Sequence, residues 1–152
     1  MLTARAVLIA LMLPAATVMT GHAQSVPPPA RDYLVIVHPH NPLSSVDRNL
    51  LTEIFLKKVS RWPHGEVARP VDLSAGGAGG WVRRNFAKDI LQRSVEAVRS
   101  YWQQLIFAGR NVPPPELDSN DAVVQYVITH PGAVGYVSGT AEIDGAKILR
   151  VR

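Results

Sequence analysis

Between Tyr33 and Val151 the chain alternates short β-branched runs with longer stretches of helical period. That alternation restricts it to an α/β arrangement with a mostly parallel or mixed sheet. Tyr33-Leu-Val-Ile-Val37, bounded by His-Pro-His-Asn-Pro, is expected as a buried strand. Ser44 or Ser45 would cap the next helix, with Leu50, Leu51, Ile54 and Phe55 on one face and Lys57 and Lys58 at its C-terminal end. Residues 67–73 return as a strand, and Pro70 inside it predicts an edge position or an early end. Val82, Phe86 and Ile90 recur every fourth residue, predicting a helix over 81–92. Ser94 starts another, striped by Val98, Tyr101, Trp102, Leu105 and Ile106 and ending at Gly109. A rigid Val-Pro-Pro-Pro-Glu connector at 112–116 precedes a helix over 122–128, opened by Ser119 and stopped by Pro131-Gly132. Strands are expected at 133–137 and 147–151, with a turn at Asp144-Gly145.

The chain has 152 residues, 47% of them hydrophobic, which suits one domain with a substantial core and is too short for two. It contains no cysteine, so disulfides, thiol catalysis and cysteine metal sites are excluded and the core must carry stability. The net charge of +4 is spread without a basic stripe interleaved with aromatics, which argues against nucleic acid and remains compatible with small anions. Arg5, the apolar AVLIALMLPAATVM and the small-residue end Gly21-His22-Ala23 read as a signal peptide over 1–23. The apolar run is shorter than the ~20 residues of a membrane span and contains Pro14, so cleavage after Ala23 without stable membrane insertion is expected. Residues 24–32, with Val-Pro-Pro-Pro-Ala, form an extended linker to a domain over 33–152.

Asp72-Leu-Ser-Ala-Gly-Gly-Ala-Gly-Gly80 stands where an expected strand meets an expected helix. Unpaired amides at a helix N-terminus favour an oxyanion. Ser74 could add a hydroxyl donor and Arg83 or Arg84 a charge, though these neighbours point about 100° apart and at most one faces the loop. The competing reading is a mobile corner between strand and helix. Neither nucleotide pattern is met: no Gly-Lys-Ser/Thr follows, and Val82 breaks Gly-x-Gly-x-x-Gly spacing. His38 and His40 form an H-x-H pair without an obvious third ligand, so no metal is expected, nor any cofactor. Without His-Glu-x-x-His or Gly-x-Ser-x-Gly, no catalytic residue is assigned and the chain is not expected to be an enzyme.

Four segments together resemble the phosphate-binding periplasmic proteins of ABC transporters: VIVHPHNP, SSVDRNLLTEIFLKKVSRWPHGE, PVDLSAGG and DSNDAVVQYVITHPGAVGYV. IFLKKVSRWP and HPGAVGYV are the most specific of them, and the similarity runs from Tyr33 to Val137. It looks like the short, single-lobe branch of that family. The resemblance implies a single type II periplasmic-binding-protein-like lobe with a mixed sheet flanked by helices. It further implies a periplasmic location, a small phosphate-like oxyanion as ligand, and an ABC permease or envelope sensor as partner. The family's loop aspartate, serine and glycine fall on Asp72, Ser74 and Gly76; with the amides of Ala75 and Gly77 and a charge from Arg83 or Arg84, these make up the expected anion-binding set. The family's loop arginine falls on Pro70, and no threonine follows the loop glycine. A single lobe also offers a half-shell open to water, so weak affinity is expected of a monomer. The alternative is a periplasmic interaction module that kept the fold without the ligand.

Overall fold

The computed structural model describes residues 32–152 apart from Ala78. The expected signal segment 1–23 and all of the linker but Asp32 lie outside the described residues. Along the chain run β1 (Tyr33–Val37), β2 (Ser45–Val46), α1 (Arg48–Phe55), β3 (Arg69–Pro70), β4 (Asp72–Leu73) and α2 (Gly79–Phe86). A π-helical turn (Ala87–Leu91) follows, then α3 (Val95–Phe107), β5 (Glu116–Leu117), α4 (Asn120–Thr129), β6 (Ala133–Ser138), β7 (Lys147–Ile148) and β8 (Arg150–Val151). The main sheet has the order β3-β6-β1-β7, and β2-β8 and β4-β5 form two small pairs. β1 and β6 are antiparallel from Tyr33 opposite Ser138 to Val37 opposite Val134, while β3 runs parallel to β6. The α/β, mixed-sheet expectation therefore holds. Pro70 sits on the edge strand, where its missing N–H leaves no ladder bond unmade.

Local chemistry sets several boundaries differently from the sequence pattern. α1 is capped by Asp47, whose Oδ1 accepts from Asn49 N at 2.8 Å, and not by Ser44 or Ser45. Ser45 and Val46 are instead drawn into the parallel pair with β8. Lys57 lies beyond the helix in a left-handed conformation, φ 52°. Residues 67–73 do not make one strand. Val71 N still bonds Val134 O on β6, but Asp72 N and Ser74 N turn to Pro115 O and Leu117 O, each at 2.8 Å. The chain thus changes sheets within two residues. Residues 147–151 divide in the same way, β7 pairing with β1 and β8 with β2. The helix expected over 81–92 begins at Gly79 and gives way to the π-helical turn after Phe86. Ser94 and Ser119 cap α3 and α4 as expected, accepting from Ala97 N and Ala122 N at 3.1 Å.

The core lies between the sheet and the helices. Phe86 stacks on Tyr136 with ring centres 3.9 Å apart, and Phe55 packs against both. Trp102 is buried, but the α3 stripe ends early, because Ile106 is 50% exposed. Across the sheet α4 presses on β6. A Cβ at Gly135 would lie 2.7 Å from Val123 Cγ1, so glycine sets that packing distance. Buried Trp62 donates its Nε1 to Gly132 O at 2.9 Å, and Arg69 N reaches the same carbonyl. Among the described residues no helix is long and apolar enough to cross a membrane.

Gly132 joins these parts under a tight constraint: its φ is +79°, and a Cβ there would stand 2.0 Å from Val67 O. Gly132→Ala should lower folding stability by roughly 2–4 kcal/mol through strain and displacement of the Val67 backbone. Urea denaturation at unchanged m-value measures this, and a loss under about 1 kcal/mol would contradict the close approach.

Candidate functional site

The register of β4 and β5 places Asp72 directly opposite Glu116. Two carboxylates so placed repel each other unless a cation stands between them. Arg83, from the second turn of α2, supplies it. Its Nη2 lies 2.9 Å from Asp72 Oδ2 and 2.7 Å from Glu116 Oε1. Asp72 Oδ1 accepts a hydrogen bond from the Tyr136 hydroxyl of β6 and another from Leu73 N at 3.0 Å. Asp72 and Arg83 are mostly buried, with side chains 16% and 15% exposed, while Glu116 faces solvent.

Burial raises the Asp72 carboxyl above its ordinary value, and Arg83 and Tyr136 offset this only in part. Burial likewise pushes the Tyr136 hydroxyl up, reinforced by the Asp72 charge, so it remains a donor. For Arg83 burial opposes the charge, but the hydrogen bond to Glu116 and the charge of Asp72 prevail and hold its pKa up. β4, β5 and α2 are therefore tied at one guanidinium, and β6 joins them through the Tyr136 bond to Asp72.

The glycine loop begins beside this cluster. Ser74 is half-buried and its Oγ accepts a long hydrogen bond from Gly76 N, 3.4 Å. Ala75, Gly76 and Gly77 are exposed, and Gly77 adopts a left-handed φ of 55°. Among the described residues the Ala75 and Gly77 amides donate to no acceptor. Gly79 and Gly80 have a different task. A Cβ at Gly79 would lie 2.5 Å from Ser74 O, and one at Gly80 would lie 2.8 Å from Ala75 O. These two glycines let α2 pack directly on the loop carbonyls.

Of the expected anion-binding residues, Ser74, Ala75, Gly76 and Gly77 form one exposed turn, with Asp72 at its root. Arg83 departs from expectation: both of its ion-pair partners are carboxylates of the fold, so its charge is already matched. Arg84 lies on another side of α2, lining a cleft with Lys88 and Arg93, and no residue of 74–77 lines that cleft. Glu116 and Tyr136 were not in the expected set. Glu116 follows the proline connector without any polar motif around it. Tyr136 belongs to PGAVGYV, where it read as part of a buried strand. At the H-x-H pair, His38 Nδ1 accepts from His40 N at 3.2 Å and the rings meet edge to face at 5.2 Å. Among the described residues no three His, Cys, Asp or Glu side chains gather to hold a metal.

No family model matches the chain, and no curated protein matches it. Solved structures do. An ABC-type phosphate transport receptor from Vibrio cholerae superposes with TM-score 0.58 at 18% identity, over 79% of this chain and 46% of its own. PstS from Borrelia burgdorferi gives 0.57 at 13% identity, over 80% and 47%. A Clostridium perfringens protein with bound phosphate, named for phosphate ABC transporter substrate binding, gives 0.58 at 18%, over 79% and 44%. The structural neighbours are thus phosphate ABC transporter substrate-binding proteins, and the chain spans under half of their length. At these identities the likeness establishes the fold, and function needs its own argument.

The buried Asp72 predicts a pH signature. A carboxyl whose folded pKa is raised favours the protonated folded state. Its contribution is fully present below the unfolded value near 3.9 and is lost as pH rises through the folded value. Asp72→Asn cannot titrate at this position. Melting curves from pH 4 to pH 7 should therefore show wild type losing stability relative to Asp72→Asn as pH rises. A gap that moves the other way would mean Arg83 and Tyr136 outweigh burial.

Proposed function

We propose that this chain is an exported solute-binding lobe that takes a small tetrahedral oxyanion, phosphate or a close relative, on its 74–77 loop. The observation that carries the reading is the exposed turn with two uncommitted amides and Ser74 just before the N-terminus of α2. Backbone donors and the helix dipole suit an oxyanion there. The fold shared with phosphate ABC transporter substrate-binding proteins supports the ligand class, and the N-terminal sequence supports export to the periplasm. An ABC permease or an envelope sensor is the partner this role requires.

Charge sets the affinity. Arg83 is matched by Asp72 and Glu116, so the loop must act largely through neutral donors. Such hydrogen bonds contribute about 1 kcal/mol each against water. A lobe of this size also leaves one side of the ligand open to solvent. Binding is therefore weak, in the millimolar range, until a partner covers the loop.

Thermal melting with added phosphate and sulfate tests this. Ligand at ten times its Kd should stabilise the fold by about 1.4 kcal/mol. Ser74→Ala should remove most of that gain. Micromolar binding by the monomer would contradict the open half-site, and identical shifts in Ser74→Ala would sink the loop assignment.

A further inference from the structure

The π-helical turn after α2 and the left-handed Gln92, φ 51° and ψ 39°, reverse the chain before α3. The reversal opens a cleft of about 490 Å³ between α2 and the start of α3, lined by Arg84, Lys88, Gln92, Arg93, Ser94 and Glu96 among others. Arg84 and Lys88 stand four residues apart on one helical course, so their like charges are neighbours. Arg93, beyond the turn, also lines the cleft, and its guanidinium carbon lies 5.5 Å from the centre of the Tyr101 ring. Among the described residues none of these three cations forms a salt bridge at 4.0 Å or less. Glu96 is the one carboxylate in the lining, and hydrogen bonds from its own amide and from Ser94, with nearby Arg99 and Arg84, keep it ionised.

Three cations and one carboxylate thus line a cleft whose volume is that of a small-molecule site. A single tetrahedral oxyanion would fill only a small part of that volume. We propose that this cleft is a second anion site, separate from the 74–77 loop, for a compact anion with several negative charges, of the phosphate-chain type. Its oxygens bridge Arg84 and Lys88 on one wall and Arg93 on the other. Arg84 and Arg93 offer forked donors to paired oxygens, and Lys88 a point charge between them. The repulsion among the cations is relieved when the anion binds. Glu96 limits affinity by opposing the incoming charge.

Calorimetry of the protein with inorganic tripolyphosphate, at low and at moderate salt, tests the cleft. Binding should weaken as salt rises, because the cleft is open and its contacts are charge pairs. Lys88→Ala with Arg93→Ala should weaken it about tenfold or more, and Glu96→Gln should strengthen it about threefold. These side chains are exposed, and melting curves verify that the variants fold. Ser74→Ala should leave tripolyphosphate binding unchanged, so loss of the loop reading would leave this one standing. Absence of heat, indifference to the double substitution, or equal affinity for inorganic phosphate would each overturn it.

Discussion

Two carboxylates brought side by side by strand pairing need a cation, and the arrangement of this lobe depends on how that need is met. Asp72 and Glu116 are opposite one another across a pair of strands only two residues long. Arg83 reaches both from α2. The bridge fixes the angle at which α2 leaves the loop, and it delivers Phe86 to its stack with Tyr136. Tyr136 then returns a hydrogen bond to Asp72, closing a ring of contacts through the core. Removing either side of such a half-buried pair leaves a charge without its partner, the costly case for buried ions.

The four glycines take their meaning from the same geometry. Gly79 and Gly80 have no room for a side chain, because the carbonyls of Ser74 and Ala75 lie against the first turn of α2. Gly77 faces open space, and a Cβ at exposed Gly76 would meet only Ser74 Oγ, at 3.6 Å. A run that reads uniformly as flexible loop therefore divides into a packing half and an accessible half. Only the accessible half can approach a ligand. The close packing fixes its position relative to the helix end.

Much of this was legible wherever a signal is local. β1 and β6 follow from their β-branched runs, α3 and α4 from apolar period and serine caps, and the edge strand from Pro70. Local signals failed where a partner far along the chain decided the outcome. Ser44 and Ser45 are good caps, yet pairing with Arg150 and Val151 takes Ser45 into a strand and leaves Asp47 to cap. Residues 67–73 have the pattern of one strand, but β5 captures them after Val71. For the candidate site, the loop itself was legible from its glycines and position. The commitment of Arg83 was not, because Glu116 stands 33 residues away and nothing in its own surroundings marks it as a partner.

The adjacent arginines Arg83 and Arg84 show how one helix turn separates structure from surface chemistry. A rotation of about 100° per residue sends neighbours to different faces of the helix. Arg83 turns to the two carboxylates and becomes part of the fold, while Arg84 turns to the cleft beside Lys88 and Arg93. The charge of Arg83 is thereby withdrawn from the loop, while Arg84, Lys88 and Arg93 line the cleft without a salt bridge among the described residues. The proposed cleft site would act on an approaching anion mainly through charge. Under the proposed reading, the loop would hold only an anion whose shape matches its backbone donors, a small tetrahedral oxyanion. The two proposed sites would therefore divide anions by charge at the cleft and by shape at the loop.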